Sequence, residues 1–305
     1  MEFTSALFRF FFKKRDWSRK YLLKRLKHMI DMLLNVFLLR STYKSLSALK
    51  AFDQAKLFSV TQRVISGNYC SKNFSLSEKL KTALHHYRTI DSRFSNGFLP
   101  TEQSQASLWE HVVNSRRYDI RLTCSDYPAE GELSLLLFVD NVAIYTISFT
   151  FIDASLKGVN AAKGSSGMLI GRVQGVKDTK PLVHITSKDH FQSYPSFLLY
   201  AALQGVAKTM NRQFIVGVCA ECCLSFGAVY GNYHDAYNAF WEKLDGKRIS
   251  QSYFDLPLVL PEKNFNAVSG HHRKRAIGRH ELKINIADQV AQRLSTYLVS
   301  PSVKV

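Results

Sequence analysis

The sequence predicts an α/β fold: a mainly helical N-terminal region, residues 1–115, followed at 116–305 by a mixed, mostly antiparallel sheet with a crossover helix. Three observations predict it. Between Gly167 and Ala220 a strand-like run, Gly167 to Gly175, leads through a loop to a helical pattern and then at once to a β-rich run, Phe214 to Val218. A strand, a connection containing a helix and a return strand form a crossover unit with parallel strands. Upstream, three segments between Tyr118 and Phe151 have the period of strands, whereas residues 42–115 are polar and helical in pattern.

In chain order, Phe3, Leu7, Phe8, Phe10 and Phe11 precede Lys13-Lys14-Arg15, the reverse of a secretory signal, so this segment is expected to stay attached. From Trp17 to about Leu39 the pattern is helical, with Tyr21, Leu22, Leu26, Met29, Ile30, Leu33 and Leu34 on one side and Arg19, Lys20, Lys24, Arg25 and Lys27 largely elsewhere. Asp31 and Asn35 interrupt an apolar run that is too short for the roughly 20 residues of a membrane span. Two readings stay open for residues 1–40: a helix docked on its own domain with a solvated basic face, or one lying on an anionic membrane surface. Further helices are expected over Ser45–Gln54, Ser77–Tyr87 and Thr101–Ser115, with Ser75 or Ser77 before Glu78 and Thr101 before Glu102 as N-cap signals. Asn96-Gly97 and Pro100 mark a loop. His85 and His86 lie within a helical pattern and have no ligand partner at metal spacing, so a surface or core role is expected.

Strands are expected over Tyr118–Thr123, Leu133–Val139 and Val142–Phe151, with Asp140-Asn141 as a tight turn. The Gly167 strand, a helix from Pro195 to Met210 and the Phe214 strand follow; Phe197, Leu198, Ala201, Ala202 and Val206 recur at helical spacing, and Pro195 suits a first turn. After a loop with Gly227 and Gly231, a helix from about His234 to Leu244 stops at Asp245-Gly246, and a strand from Gln251 to Val259 is ended by Pro261.

The chain has 305 residues, 46% of them hydrophobic, enough for a full core. Its net charge of +17 favours anionic partners: nucleic acid, acidic lipid headgroups or phosphate-bearing small molecules. Five cysteines, an odd number, suit a reducing compartment and the cytosolic side. Cys219, Cys222 and Cys223 are crowded, but no second pair of ligands accompanies them at zinc spacing, so buried or loop thiols are expected and no metal.

This order of elements resembles the Gcn5-related N-acyltransferase fold. The resemblance implies that the strand before the crossover helix diverges from the next one and that acyl-coenzyme A enters between them, its pyrophosphate at the helix N-terminus. Arg172-Val173-Gln174-Gly175-Val176-Lys177 is the nearest match to that family's phosphate loop, with Lys177 in place of a small residue, while Gln192-Ser193-Tyr194-Pro195 abuts the helix without its glycines. Arg172, Gln174, Gly175, Lys177, Ser193 and Ser196 are therefore the candidate residues for phosphate or acyl-coenzyme A, with Lys188 adding charge; Phe191 and Tyr194 are the alternative, side chains that fill the gap.

A closer resemblance rests on Gly171-Arg172-Val173-Gln174-Gly175, the Pro195 helix, Val216-Gly217-Val218, the run Tyr237-Asn238-Ala239-Phe240-Trp241 and the basic run Arg273-Lys274-Arg275-Ala276. In combination these look like the VirK/YbjX family of enterobacterial proteins. Asp245-Gly246 stands where a Gly-Gly is expected, and the basic continuation is diluted to Ile277-Gly278-Arg279-His280. The resemblance implies a virulence-linked role in outer-membrane maintenance, resistance to cationic peptides and display of surface proteins, with no established reaction. Tyr237, Phe240, Trp241, Arg273, Lys274 and Arg275 are its motif residues. From the residues alone, Phe240 and Trp241 suit core anchors, His184, His190 and His234 flank the crossover as bases without a paired carboxylate, and His271-His272-Arg273-Lys274-Arg275 suits a solvated face or phosphate contacts without sequence reading. An envelope factor acting by binding, an acyl-coenzyme A-dependent transferase and nonspecific nucleic-acid binding stand as the three functional readings, with an anionic membrane surface and an envelope or surface protein as the expected partners.

Overall fold

The computed structural model describes residues 26, 30, 33, 34, 36–49, 54–65, 69–95, 105–156, 158, 159, 161–225, 233–262, 265 and 269–299. The expectations for Phe3 to Phe11, for the Asn96-Gly97 loop and for Gly227 and Gly231 lie outside these residues. Helices α1 (Val36–Ser47), α2 (Gln54–Ile65) and α3 (Leu76–Arg93) come first. Strands β1 (Ala106–Val113), β2 (Arg116–Cys124), β3 (Leu133–Val139), β4 (Val142–Asp153) and β5 (Ser166–Gly175) follow, then α4 (Lys180–Asp189), α5 (Pro195–Thr209) and β6 (Phe214–Val218). A short 3-10 turn, Ala220–Cys222, α6 (Tyr233–Lys243), β7 (Lys247–Arg248), β8 (Tyr253–Leu256) and the long α7 (Gly270–Ser295) are the remaining elements among the described residues. All eight strands form one sheet in the order β1-β2-β3-β4-β5-β6-β8-β7, with β5 and β6 parallel and every other pair antiparallel.

The predicted class is the observed one, with local corrections. The segment expected as a helix over Thr101–Ser115 instead contains β1. Asn114 and Ser115 both take positive φ, 49° and 63°, which makes a two-residue hairpin turn and reverses the chain onto β2; pairing from Val113 opposite Arg116 then outweighs the helical pattern. Asp140 and Asn141 make the same kind of turn, φ 47° and 65°, as expected. The pattern assigned to Ser45–Gln54 splits: α1 ends at Ser47, where Leu39, Thr42 and Leu46 already bury one helical stripe, and α2 begins at Gln54. Ser75 caps α3 through a reciprocal box with Glu78. The last expected strand shrinks to Tyr253–Leu256.

Register separates the sheet's faces. Leu122, Leu135, Ile147 and Val173 form one cross-strand row, and Thr123, Ser134, Ser148 and Arg172 form the next, so the apolar face lies opposite a hydroxyl-rich one. Helix α5 covers β3, β4 and β5, and α7 packs on α5 and β1. Gly205 permits that approach, because a Cβ there would stand 2.4 Å from the Ala287 carbonyl oxygen. Helix α3 packs on β4, where buried His86 accepts a hydrogen bond from the Phe151 amide through Nδ1 at 3.2 Å. Arg63 of α2 grips the buried Glu132 with bonds of 2.9 and 3.0 Å, and the Tyr87 hydroxyl donates to the same carboxylate at 2.7 Å.

Candidate functional site

The crossover opens the expected gap. β5 pairs with β6 only from Gly167 to Ile170, against Phe214 to Gly217, and then runs on to Gly175 paired with β4 on its other edge. The freed amide of Val173 donates to the Tyr237 hydroxyl at 3.2 Å. Trp241, fully buried, donates through Nε1 to the Val218 carbonyl at 3.0 Å, and Asn238 Oδ1 accepts from the Ala220 amide at 2.9 Å. A Cβ on Gly217 would lie 2.6 Å from the Trp241 ring, so this strand position requires glycine for the indole to lie against it. Side chains of α6 therefore fill the gap, and burial raises the Tyr237 hydroxyl well above its ordinary range. Phe191 and Tyr194 are instead 44% and 46% exposed.

The six residues proposed for phosphate or acyl-coenzyme A divide between places. Arg172, Gln174, Gly175 and Lys177 line one cavity of about 560 Å³ on the hydroxyl-rich face, together with Ser125, Ser134, Thr146 and Ser148. Arg172 is paired there with Glu130 at 2.5 Å, and its guanidinium lies 3.8 Å from the centre of the Tyr127 ring. Glu130 also accepts from Ser225. The arginine charge thus has a buried counter-ion, and an arriving phosphate meets a neutral pair with Lys177 and the carboxylate of Asp126 beside it. Ser193 lines a different cavity, and Ser196 is buried in the first turn of α5 with a hydrogen bond to Tyr145.

The remaining candidates are dispersed. His184 and Lys188 are exposed on α4, whereas His190 is buried among Trp109, His111 and Tyr118, and burial lowers its pKa. Its neighbour Asp189 is taken by Arg116 at 2.9 Å, Tyr118 at 2.5 Å and Asn114 at 2.9 Å. The side chain of His234 lies outside the described residues. Cys219, Cys222 and Cys223 are free and buried; burial pushes the Cys219 thiol up to about 11, away from thiolate chemistry. Among the described residues no group of three or more His, Cys, Asp or Glu is placed to hold a metal. Arg273, Lys274 and Arg275 are exposed near the start of α7.

A second cavity, about 260 Å³, lies between α5, the C-terminal end of α6, α7 and the segment after β8. Phe197, Tyr200 and Gln204 line it at helical spacing from α5; Lys243 at the end of α6 and Asp245 just after it border it; Arg279 and Lys283, one turn apart, border it from α7. Sequence reading missed this group because its members are spread over some 90 positions and no one of them forms a motif. The only local signals were the i, i+3, i+7 stripe on α5 and the i, i+4 cations on α7.

The arrangement defines a mixed-sheet α/β protein whose crossover gap is filled and whose described residues line cavities on the hydroxyl-rich face and beside α5. Residues 17–294 match the family model described as "Protein of unknown function (DUF535)". A relative is the uncharacterized protein YbjX of Escherichia coli (strain K12), 25% identical over 234 residues, which are 73% of this chain and 68% of that one. The chain belongs to this family, the VirK/YbjX family, as its motif residues had indicated. No solved structure matches it.

Proposed function

We propose that the protein is an accessory factor of the bacterial envelope that acts by binding, from the cytosolic side, with the segment ahead of α1 laid on an anionic membrane surface. One observation carries this reading. Leu26, Ile30, Leu33, Leu34 and Phe37, at helical positions, are 50%, 48%, 68%, 78% and 87% exposed, and their spacing puts them within an arc of about 100°. This is where a helix docked on its own domain would bury them. Leu39 and Leu46, farther along the same segment, are 2% exposed, so the body of the protein takes up the next stripe and leaves the earlier one uncovered. No helix among the described residues is long and apolar enough to cross a membrane.

Charge supplies the choice of occupant. Arg19, Lys20, Lys24, Arg25 and Lys27 interleave with the apolar positions, and each basic residue near an anionic surface adds about 1 kcal/mol. Burying each large apolar side chain adds about 1.5–3 kcal/mol. The filled crossover gap favours binding over acyl transfer, because Tyr237 occupies the space between the strands and engages the Val173 amide. The envelope roles implied by the family resemblance then fall to partners gathered at that surface.

The test is sedimentation with vesicles. Full-length protein is expected to bind phosphatidylglycerol vesicles, to bind less as salt rises, and to lose binding in the variant Leu33→Ser, Leu34→Ser, Phe37→Ser. Equal binding to neutral phosphatidylcholine vesicles, or none to either, overturns the reading.

A further inference from the structure

We infer that Ser166, His85 and Asp153, with Arg212 beside them, form a catalytic site of the nucleophile-and-base type, in which Ser166 attacks a carboxylic ester. The site lies at the other end of β5 from Arg172 to Lys177.

Three strand ends and a helix bring the groups together. Ser166 opens β5 directly opposite Asp153, the last residue of β4. Arg212 precedes β6, just after Asn211 turns the chain with φ 52°. His85 comes from α3, which packs on β4. Gln213 fixes the serine backbone twice: the Ser166 amide donates to Gln213 Oε1 at 2.8 Å, and the Ser166 carbonyl accepts from the Gln213 amide at 2.8 Å. The His85 and Asp153 side chains are 24% and 37% exposed and Ser166 is half-buried, so the cluster reaches solvent, unlike the buried His86 one position on.

The hydrogen bonds set the direction of the proton. Ser166 Oγ lies 2.8 Å from His85 Nε2 and 3.4 Å from the Ile152 carbonyl. Arg212 also contacts Oγ through Nη1, and a guanidinium can only donate, so the serine proton must point at an acceptor. The nearer is Nε2, which accepts when the ring carries its proton on Nδ1, the side where Asp153 Oδ2 stands at 3.9 Å. That is an ion-pair distance rather than a hydrogen bond, and such contacts often tighten only when substrate is bound. Burial lowers the His85 pKa more than Asp153 raises it, and Arg212 and Arg88 add to the lowering, so the ring is neutral at pH 7 and can take a proton. Arg212 is held through Nε by the Met210 carbonyl at 2.7 Å, and no carboxylate pairs with it among the described residues. Burial brings it down to about 10, which leaves it charged. A guanidinium against the nucleophilic oxygen stabilises negative charge as it develops there.

In the reaction, Ser166 Oγ bonds to the ester carbonyl carbon as its proton passes to His85 Nε2. The bond from that carbon to the alcohol oxygen breaks, and the alcohol leaves with the proton. Water then attacks the acyl-serine and gives a proton to His85; the carboxylic acid departs, and Ser166 Oγ takes the proton back. Water is the sole co-reactant.

The full chain is treated with a fluorophosphonate, the modified residue is mapped by mass spectrometry, and hydrolysis of p-nitrophenyl acetate is followed. No vesicles are present, so the result is separate from membrane docking. Modification is expected at Ser166, with labelling and hydrolysis lost in Ser166→Ala and slowed tenfold or more in His85→Gln. The labelling rate is expected to fall as pH drops through the His85 range. Asp153→Asn keeps the acceptor for the Ser155 amide but loses the charge that favours the protonated ring, so it is expected to move that midpoint to lower pH. A merely structural contact would leave the midpoint in place. If Ser166→Ala or His85→Gln fails to fold, the residue modified in the parent protein and the Asp153→Asn midpoint still decide. No modification of Ser166 in the parent protein, undiminished labelling in folded His85→Gln, or an unmoved midpoint in Asp153→Asn overturns the site.

Discussion

Helix α6 borders two spaces of opposite character. Toward the sheet, its Tyr237, Asn238 and Trp241 occupy the gap left where β5 and β6 part: Tyr237 and Trp241 engage strand backbone at Val173 and Val218, and Asn238 accepts from the Ala220 amide in the turn that follows β6. At its C-terminal end, Lys243 and Asp245 border a cavity of about 260 Å³ that Arg279 and Lys283 of α7 also line. The difference lies in what each space requires. A gap inside a sheet exposes buried amides and carbonyls, which must be satisfied within the fold; a cleft between helix surfaces carries no such demand. The aromatic motif that stands out in the sequence therefore serves the closed space, and inconspicuous charged residues line the other.

The largest expected effect tests the closed side. Trp241→Ala removes a fully buried indole and its bond to Val218, and a loss of about 3–5 kcal/mol in denaturant unfolding is expected. Tyr237→Phe keeps the ring but strands the Val173 amide, so about 1–3 kcal/mol is expected from the same measurement. If Tyr237→Phe unfolds like the parent protein and coenzyme A then protects it from heat, the gap is a ligand channel and the comparison breaks.

Much of the sheet was legible in the sequence because its determinants are local. Asp140-Asn141 between two apolar runs specifies a hairpin, Pro195 starts a helix, and Ser75 with Glu78 forms a capping box. β1 was not legible: Leu108, Trp109, Val112 and Val113 fit a helix as well as a strand until Asn114 and Ser115 take positive φ and β2 pairs with them. Helix α7 was hidden for another reason. It buries Ile286, Val290 and Leu294 but has a largely charged first half, so its apolar period emerges only late. Of the site, Arg172 to Lys177 could be found as a cluster because they are neighbours in sequence, but the counter-ion Glu130 is 42 positions away. Its identity depends on β5 meeting the loop before β3.

Acid separates the regions further. Burial, followed by the cations His85, Lys56 and Arg63, lowers His86 well below its ordinary 6.5, whereas burial moves the gap's Tyr237 upward. An unfolded His86 takes a proton near pH 6.5 that the native chain resists, so protonation favours unfolding: stability is held above that pH and falls below it. Each fully shifted histidine contributes a slope of about 1.4 kcal/mol per pH unit in that window. His86→Asn, which keeps an acceptor for the Phe151 amide, is expected to flatten the decline, with His190 supplying part of what remains. An unchanged slope places the acid sensitivity elsewhere.

The smallest expected effect is on the open side, and it bears directly on whether that space is free. Arg279 is half-buried at the rim of the cleft on α7, a helix anchored by other positions such as Ile286 and Val290. Replacing it with alanine removes no core contact, and alanine is at least as good a helix former, so unfolding free energy is expected to change by no more than about 0.5 kcal/mol. Lys243 sits in the last turn of α6, where a cation meets the negative end of the helix, so Lys243→Ala is expected to cost somewhat more, about 0.3–1 kcal/mol. Both are read as a displaced denaturant midpoint at unchanged slope. A loss above about 2 kcal/mol in Arg279→Ala would mean that the guanidinium holds helices together as Arg63 does through Glu132. The cleft would then be a structural ion-pair site like the one beside β3.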